Sequence, residues 1–143
     1  MEYNLGFLTF LSAVILYVAY QQWKTTKKKF NLDCYDRRIK VYEEVRKFIE
    51  LVNQNGSPTS DEIRNFDSAT HEAEFLFGSE ISQYISTISR HGLELMSTKH
   101  SEKIDEQYKD DRIPKIIKIN SEWFREQING AKMEFKKYLD ISG

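Results

Sequence analysis

The chain has few of the residues that break or cross-link a fold. Among its 143 residues there is one cysteine, Cys34. No intrachain disulfide can form, and no zinc site can be built from paired cysteines. That usage suits a reducing compartment. There are only two prolines, Pro58 and Pro114, and six glycines, while 30% of residues are charged. Such a composition fits a helix-rich chain rather than a β-sandwich or a disordered tail. His71, His91 and His100 lack the partners that metal chemistry needs. His71-Glu72-Ala73-Glu74-Phe75 has no second histidine four residues on, and Ser68, Ile88 and Ser97 stand where a di-iron bundle would carry glutamate three before each histidine. No phosphate-binding glycine loop, dinucleotide fingerprint or nucleophile elbow occurs. Ser79, Ser82, Ser86 and Ser89 mark one polar helix face with no base partner, and most carboxylates have a basic residue one helical turn away. The expectation is a chain with no catalytic residues, no metal and no cofactor.

Positive charge is also missing where nucleic acid would need it. Residues 1–29 hold Lys24, Lys27, Lys28 and Lys29 against Glu2, and residues 30–143 hold the other 17 basic and 21 acidic side chains, a net of −4. The basic charge gathers at one point, and the remainder is mildly acidic. A DNA- or RNA-binding footprint would require the reverse.

At that point an apolar run meets the lysines. Leu5 to Trp23 carries no charge, and at 1.5 Å per residue it is about 28 Å long, close to a bilayer's hydrocarbon thickness. The run, which includes Leu5, Phe7, Leu11, Val14 and Leu16, is apolar on all faces. Tyr3, Tyr20 and Trp23 stand near the ends, where amphipathic aromatics favour the headgroup layer. The residues before the run, Met-Glu-Tyr-Asn, lack the basic n-region of a signal peptide. The four lysines follow it. The run is therefore expected to be an uncleaved transmembrane helix. The positive-inside rule puts the N-terminus outside and the rest of the chain in the cytoplasm, as a single-pass protein of the cell membrane. Lys24, Lys27, Lys28 and Lys29 act chiefly as a topology signal that also meets lipid headgroups. Cys34 reads as an ordinary small side chain near that surface, the alternative being a lipidated or disulfide-forming juxtamembrane cysteine.

Residues 30–143 carry helical periodicity. Leu32, Tyr35, Ile39, Tyr42, Val45, Ile49 and Val52 make one stripe, widened by Phe48. Asp33–Arg37, Asp36–Lys40 and Glu43–Lys47 stand at ion-pairing spacing. This stripe and the span can join as one long helix. Gly56 and Pro58 mark a turn, after which Thr59-Ser60-Asp61-Glu62 is a capping box. The helix it opens is expected to run to about Phe77, with Ile63, Phe66, Ala69, Ala73, Leu76 and Phe77 inward and Phe75 off the stripe. Ser79 is read as the cap of a third helix, with Glu80 in its first turn. Ile81, Tyr84, Ile85, Ile88, Leu95 and Met96 lie inward, and the expected end is near Ser97. Residues 98–113, with Ile104 and Tyr108, read as helix and then loop. Pro114 opens a last helix to about Leu139, whose apolar face includes Ile116, Ile117, Trp123, Phe124, Ile128, Ala131, Phe135, Tyr138 and Leu139. The predicted fold is all-α: a transmembrane anchor over 1–29 and an antiparallel bundle of about four helices over 30–143.

Charge and tyrosine are densest in the stretch around Asp36, Arg37, Arg38 and Tyr42. With Glu72 on a facing helix they form the candidate interaction surface, although inward tyrosines and solvated charges are the plainer outcome. Asp33, Tyr35, Asp36, Arg38, Val41, Tyr42 and Glu43, followed by Ala69, Glu72, Ala73, Phe75, Leu76 and Phe77, match a pattern K-L-x-L-D-L-Y-D-x-R-x-x-V-Y-E and then A-x-x-E-A-x-F-L-F. In these residues the chain resembles small bacterial helical proteins anchored in the inner membrane, a group with no known activity. The resemblance implies a bacterial inner-membrane setting and transfers no site residue. The expected partners are the lipid bilayer and a protein, either a second copy or another chain. The expected role is a non-catalytic, membrane-tethered interaction or scaffold module. The alternative is a membrane-perturbing effector, toxin-like or host-defence, whose bundle controls the span.

Overall fold

The computed structural model describes residues 2–104 and 112–139, with side chains described within 6–101 and 112–139. Among the described residues it holds five helices and no strand: α1 (Glu2–Asn55), α2 (Ser60–Thr70), α3 (Ala73–Phe77), α4 (Ser79–Ile104) and α5 (Arg112–Leu139). The chain divides into two compact units, Met1–Asp36 and Arg37–Gly143. Tyr108, and the side chains of Leu5 and Ile104, lie outside the described residues.

The first unit is helix alone. No proline or glycine interrupts α1 between Gly6 and Asn55, so the helix has no reason to stop before Gly56. Its hydroxyls bond back onto the helix: Thr9 Oγ1 donates to the Gly6 carbonyl at 2.9 Å, Ser12 Oγ to Thr9 at 2.8 Å and Thr25 Oγ1 to Gln21 at 2.9 Å. Among the described residues, no helix is long and apolar enough to cross a membrane.

The second unit is a helical bundle whose legs alternate in direction. Arg38 meets Leu76, and Phe48 meets Phe66, so α2 and α3 return along α1. Glu80 meets Lys137, Tyr84 meets Gln127 and His91 meets Asn120, so α5 returns along α4. Tyr42 against Phe135 and Asn53 against Phe124 bring α5 back beside α1. The core fills the space between these legs. Val45, Ile49 and Val52 of α1, Ile63 and Phe66 of α2, Ile81, Ile88 and Leu95 of α4, and Phe124 and Phe135 of α5 are all buried.

Local chemistry sets the joints. Gly56 takes φ 72° and its N–H returns to the Val52 carbonyl at 2.8 Å, closing α1 with a left-handed residue that a side chain would strain. The Thr59 hydroxyl accepts from the Glu62 N–H at 3.3 Å, and the Thr59 N–H donates to the Glu62 carboxylate at 2.7 Å. The expected capping box is therefore present. Pro114 stands in the first turn of α5, and Phe75 is off the buried stripe, both as expected.

Five expectations are corrected. The helix from Thr59 does not run to Phe77 but breaks at His71-Glu72. Thr70 is buried and its hydroxyl donates to the Phe66 carbonyl at 2.8 Å, a back-bond that bends helices. Thr70 therefore takes the inward position expected of Ala69, which is exposed. The helix from Ser79 passes Ser97 and reaches Ile104. Ser97, Thr98 and Ser101 bond to carbonyls one turn back, so this polar stretch satisfies itself as helix. Ile128, expected inward, is exposed, and Asn120 is buried on that face. Among the described residues none of the three expected ion pairs of α1 closes. Arg46 pairs with Glu50 and Lys47 with Glu44, while Arg37 turns across to Glu72.

Candidate functional site

In the first unit Phe7, Leu11, Val14, Leu16, Tyr20 and Trp23 are all exposed. So are Lys24, Lys27, Lys28 and Lys29. The apolar residues cover every face of the helix, because the run is longer than a stripe and has no polar side. Tyr20 and Trp23 lie one turn apart with ring centroids 6.3 Å apart. The Lys27 ammonium sits over the Trp23 ring at 5.2 Å, a cation–π contact at the point where the apolar run ends. Gln21 Nε2 donates to the Tyr17 hydroxyl at 2.9 Å, so the amide at this end is partnered within the helix.

The five residues of the candidate interaction surface separate. Asp36 closes the first unit and is exposed. In the second unit, Arg37, Arg38 and Glu72 meet where α1 passes α3. Arg37 Nη1 stands 3.3 Å from Glu72 Oε2, with both side chains largely open to water. Such a pair contributes about 0–1 kcal/mol. Arg38 is more deeply set. Its Nε donates to the Leu76 carbonyl at 2.9 Å, and its guanidinium lies 5.7 Å from the Phe77 ring centroid. It satisfies a carbonyl at the end of the five-residue helix α3, so it holds that short element against α1. Tyr42 points elsewhere, packing its ring on Phe135 at 5.3 Å. Arg38 is thus spent on packing, Tyr42 is half-buried with one part of its ring on Phe135, and the exposed remainder is Asp36 and the Arg37–Glu72 pair.

Two polar arrangements escaped sequence reasoning. His91 stacks on Trp123 at 4.0 Å, and its Nδ1 lies 2.6 Å from Asn120 Oδ1. Asn120 Nδ2 donates in turn to the Ile116 carbonyl at 3.0 Å, which fixes its oxygen toward the histidine. Asn53 Nδ2 donates to both the Ile49 and Phe124 carbonyls, tying the end of α1 to α5. The available signal was an asparagine on each apolar stripe, since a buried amide needs partners. The second arrangement is a groove of about 330 Å³ between α1 and α5, lined by Tyr42, Lys132, Lys136 and Leu139. The signal for it was two lysines at i,i+4, a like-charged pair on one helix flank.

Electrostatic perturbation elsewhere has plain causes. Hydrogen bonds from Lys137 and then Tyr138 hold the Glu80 carboxyl below the usual range, and the same contact with Glu80 raises Lys137. Burial, followed by the charge of Glu134, pushes the Tyr84 hydroxyl well up. Among the described residues, no group of three or more His, Cys, Asp or Glu side chains is placed to hold a metal ion. Comparison with protein-family models, curated proteins and solved structures finds no match to this chain.

Proposed function

We propose that the chain is a non-catalytic, membrane-tethered interaction module, with its N-terminal run in the bilayer and its helical bundle held on the cytoplasmic face. One observation carries this: the apolar side chains from Phe7 to Trp23 are exposed on every side of α1. Exposing a Phe, Leu, Ile or Val side chain to water forgoes about 1.5–3 kcal/mol, and a patch of this extent is a surface that something else covers. A helix apolar all round belongs in a protein core or in lipid. Mean hydropathy here is held down by Tyr17, Tyr20, Gln21 and Gln22. These gather beside the lysines, at the level where a headgroup layer accepts such side chains. Leu5, at the other end, extends the run by one further leucine. Thr9 and Ser12, like hydroxyls elsewhere in the chain, bond back onto their helix, so they need no partner from the surroundings. The lysines on one side only support a single pass with the bundle in the cytoplasm.

The lone cysteine supplies the test. The full chain, expressed in a bacterial host, is expected to stay with the membrane in alkaline carbonate. Cys34 is expected to react with a membrane-impermeant maleimide only after spheroplasts are lysed. Release by carbonate refutes the anchor, and labelling of intact spheroplasts refutes the orientation. Crosslinking in native membranes tests the interaction role: a defined partner or a dimer is expected, and the absence of both refutes it. Arrest of growth on expression would favour the membrane-perturbing effector instead.

A further inference from the structure

The groove between α1 and α5 sets two like charges beside apolar side chains. It is shallow and open, lined by Tyr42 of α1 and by Lys132, Lys136 and Leu139 of α5. The two lysines stand at i,i+4, a spacing at which like charges repel. Neither has an ion-pair partner among the described residues, although the surrounding chain is net acidic. Along α5 the same flank carries Lys118 and Arg125 at intervals of seven residues, which share one helix face with Lys132. The other helical neighbours of Lys132 are Ile128, Asn129 and Phe135, none of them acidic, while Asp140, four residues on from Lys136, lies outside the described residues. The rest of the lining is aromatic and aliphatic. The Tyr42 ring is fixed in place by Phe135 at 5.3 Å.

We propose that this groove binds the headgroup of an anionic phospholipid. The phosphate lies between the Lys132 and Lys136 ammonium groups, and the first methylenes of the lipid rest on Leu139 and the Tyr42 ring. An anion there converts the repulsion of the lysine pair into attraction, and the apolar lining rewards a ligand that carries hydrocarbon next to its charge. A fully hydrated phosphate ion would use only the lysines. The inference rests on the membrane-tethered reading, which supplies the lipid.

The test is native mass spectrometry of the full chain in neutral detergent, titrated with phosphatidylglycerol or phosphatidylcholine. The parent chain is expected to retain phosphatidylglycerol in preference. Lys132→Gln with Lys136→Gln, which leaves Lys24 to Lys29 untouched, is expected to weaken that binding roughly thirtyfold. Lys132→Arg with Lys136→Arg is expected to keep most of it, and the helical circular dichroism of both variants should match the parent. Equal retention of phosphatidylcholine, or unchanged binding in the glutamine variant, overturns the proposal. Displacement of the lipid by inorganic phosphate also overturns it, by assigning the groove to a free anion. Release of the parent chain by carbonate would instead refute the tether. A carbonate-resistant chain with unchanged lipid binding in the glutamine variant refutes the groove alone.

Discussion

Replacing Phe135 by alanine is the sharpest probe of the bundle. Phe135 is 0% exposed and touches three rings from three directions: Tyr42 of α1 at 5.3 Å, Phe77 of α3 at 5.1 Å and Tyr84 of α4 at 6.4 Å. Truncation removes a buried ring and leaves a cavity that none of the four helices can fill alone. Phe→Ala in a core costs about 3–5 kcal/mol, and each aromatic pair lost accounts for about 0.5–1.5 kcal/mol of interaction beyond area. With three pairs lost, the cost should lie in the upper half of that range, about 4–5 kcal/mol. A domain of this size is held by about 5–15 kcal/mol in total. The midpoint of thermal unfolding should fall by at least about 15 °C, at 4–8 °C per kcal/mol. The control is Phe75→Ala. Phe75 is 90% exposed, so its truncation should change stability by less than about 0.5 kcal/mol. Urea unfolding of the full chain in detergent, on a Trp23→Phe background so that Trp123 alone reports, gives both numbers. A Phe135→Ala cost below about 1.5 kcal/mol, or equal costs for the two phenylalanines, would refute the described packing.

The same assay checks the cap and the two arginines. Thr59→Ala should cost about 1 kcal/mol and Thr59→Ser should recover most of it, because the hydroxyl satisfies the Glu62 N–H. Arg38→Gln should cost about 1.5–3 kcal/mol, since it removes a charged donor from the Leu76 carbonyl, whereas Arg37→Gln should cost under about 1 kcal/mol. Equal losses at the two positions would contradict their different burial. Alkaline unfolding should involve Tyr84, whose folded pKa is raised by burial and by Glu134. The stability tied to its neutral form is complete below about pH 10 and is lost as pH rises through the folded value. Tyr84→Phe should therefore flatten the fall in melting temperature above pH 10, and an unchanged slope refutes this. At the acid end, Glu80 is lowered by its hydrogen bonds from Lys137 and Tyr138, so its contribution is present above about pH 4.3 and lost as pH falls through the folded value. Lys137→Gln should reduce that acid sensitivity, measured as melting temperature from pH 6 to pH 2.

What the sequence made legible was set by short-range chemistry. Thr59 and Glu62 interact across one turn, so their four-residue pattern was enough to locate the cap. Gly56 and Phe75 were legible for the same reason, one from backbone conformation and one from phase along a helix. The periodicity of α1 placed Val45, Ile49 and Val52 inside because a single uninterrupted helix keeps its phase. A helix break without glycine or proline was not legible. The chain turns at His71-Glu72 with no such marker, and Thr70, four residues after Phe66 and in phase with it, was passed over for the apolar Ala69 beside it. Partners across helices were not legible at all. Arg37 was expected to bond to Asp33 one turn back and instead meets Glu72, and nothing near His91 in the sequence announces Asn120. The groove shows the same limit. Lys132 and Lys136 declare a charged flank, but that Tyr42 stands opposite depends on the return of α5 along α1.

The strongest functional clue is a change of character within one helix. From Phe7 to Trp23, α1 is apolar on every face and those faces are exposed, whereas from Val41 to Val52 it is apolar on one stripe and that stripe is buried. A helix in one solvent has no cause for such a change, because a single stripe satisfies packing against a bundle and anything wider is exposed at a cost. Two surroundings explain it. On the proposed reading, the stripe answers to protein on one side and water on the other, and the fully apolar stretch answers to a bilayer. Lys24 to Lys29 stand between the two, where charge and aromatic rings together suit an interface. On this ground the membrane assignment predicts a positional asymmetry: a lysine in place of Val14 should abolish carbonate-resistant association while leaving the unfolding transition of the bundle intact, and a lysine in place of Val45 should do the opposite. If both substitutions unfold the bundle equally, the stretch from Phe7 to Trp23 is covered by protein, and the tether is wrong.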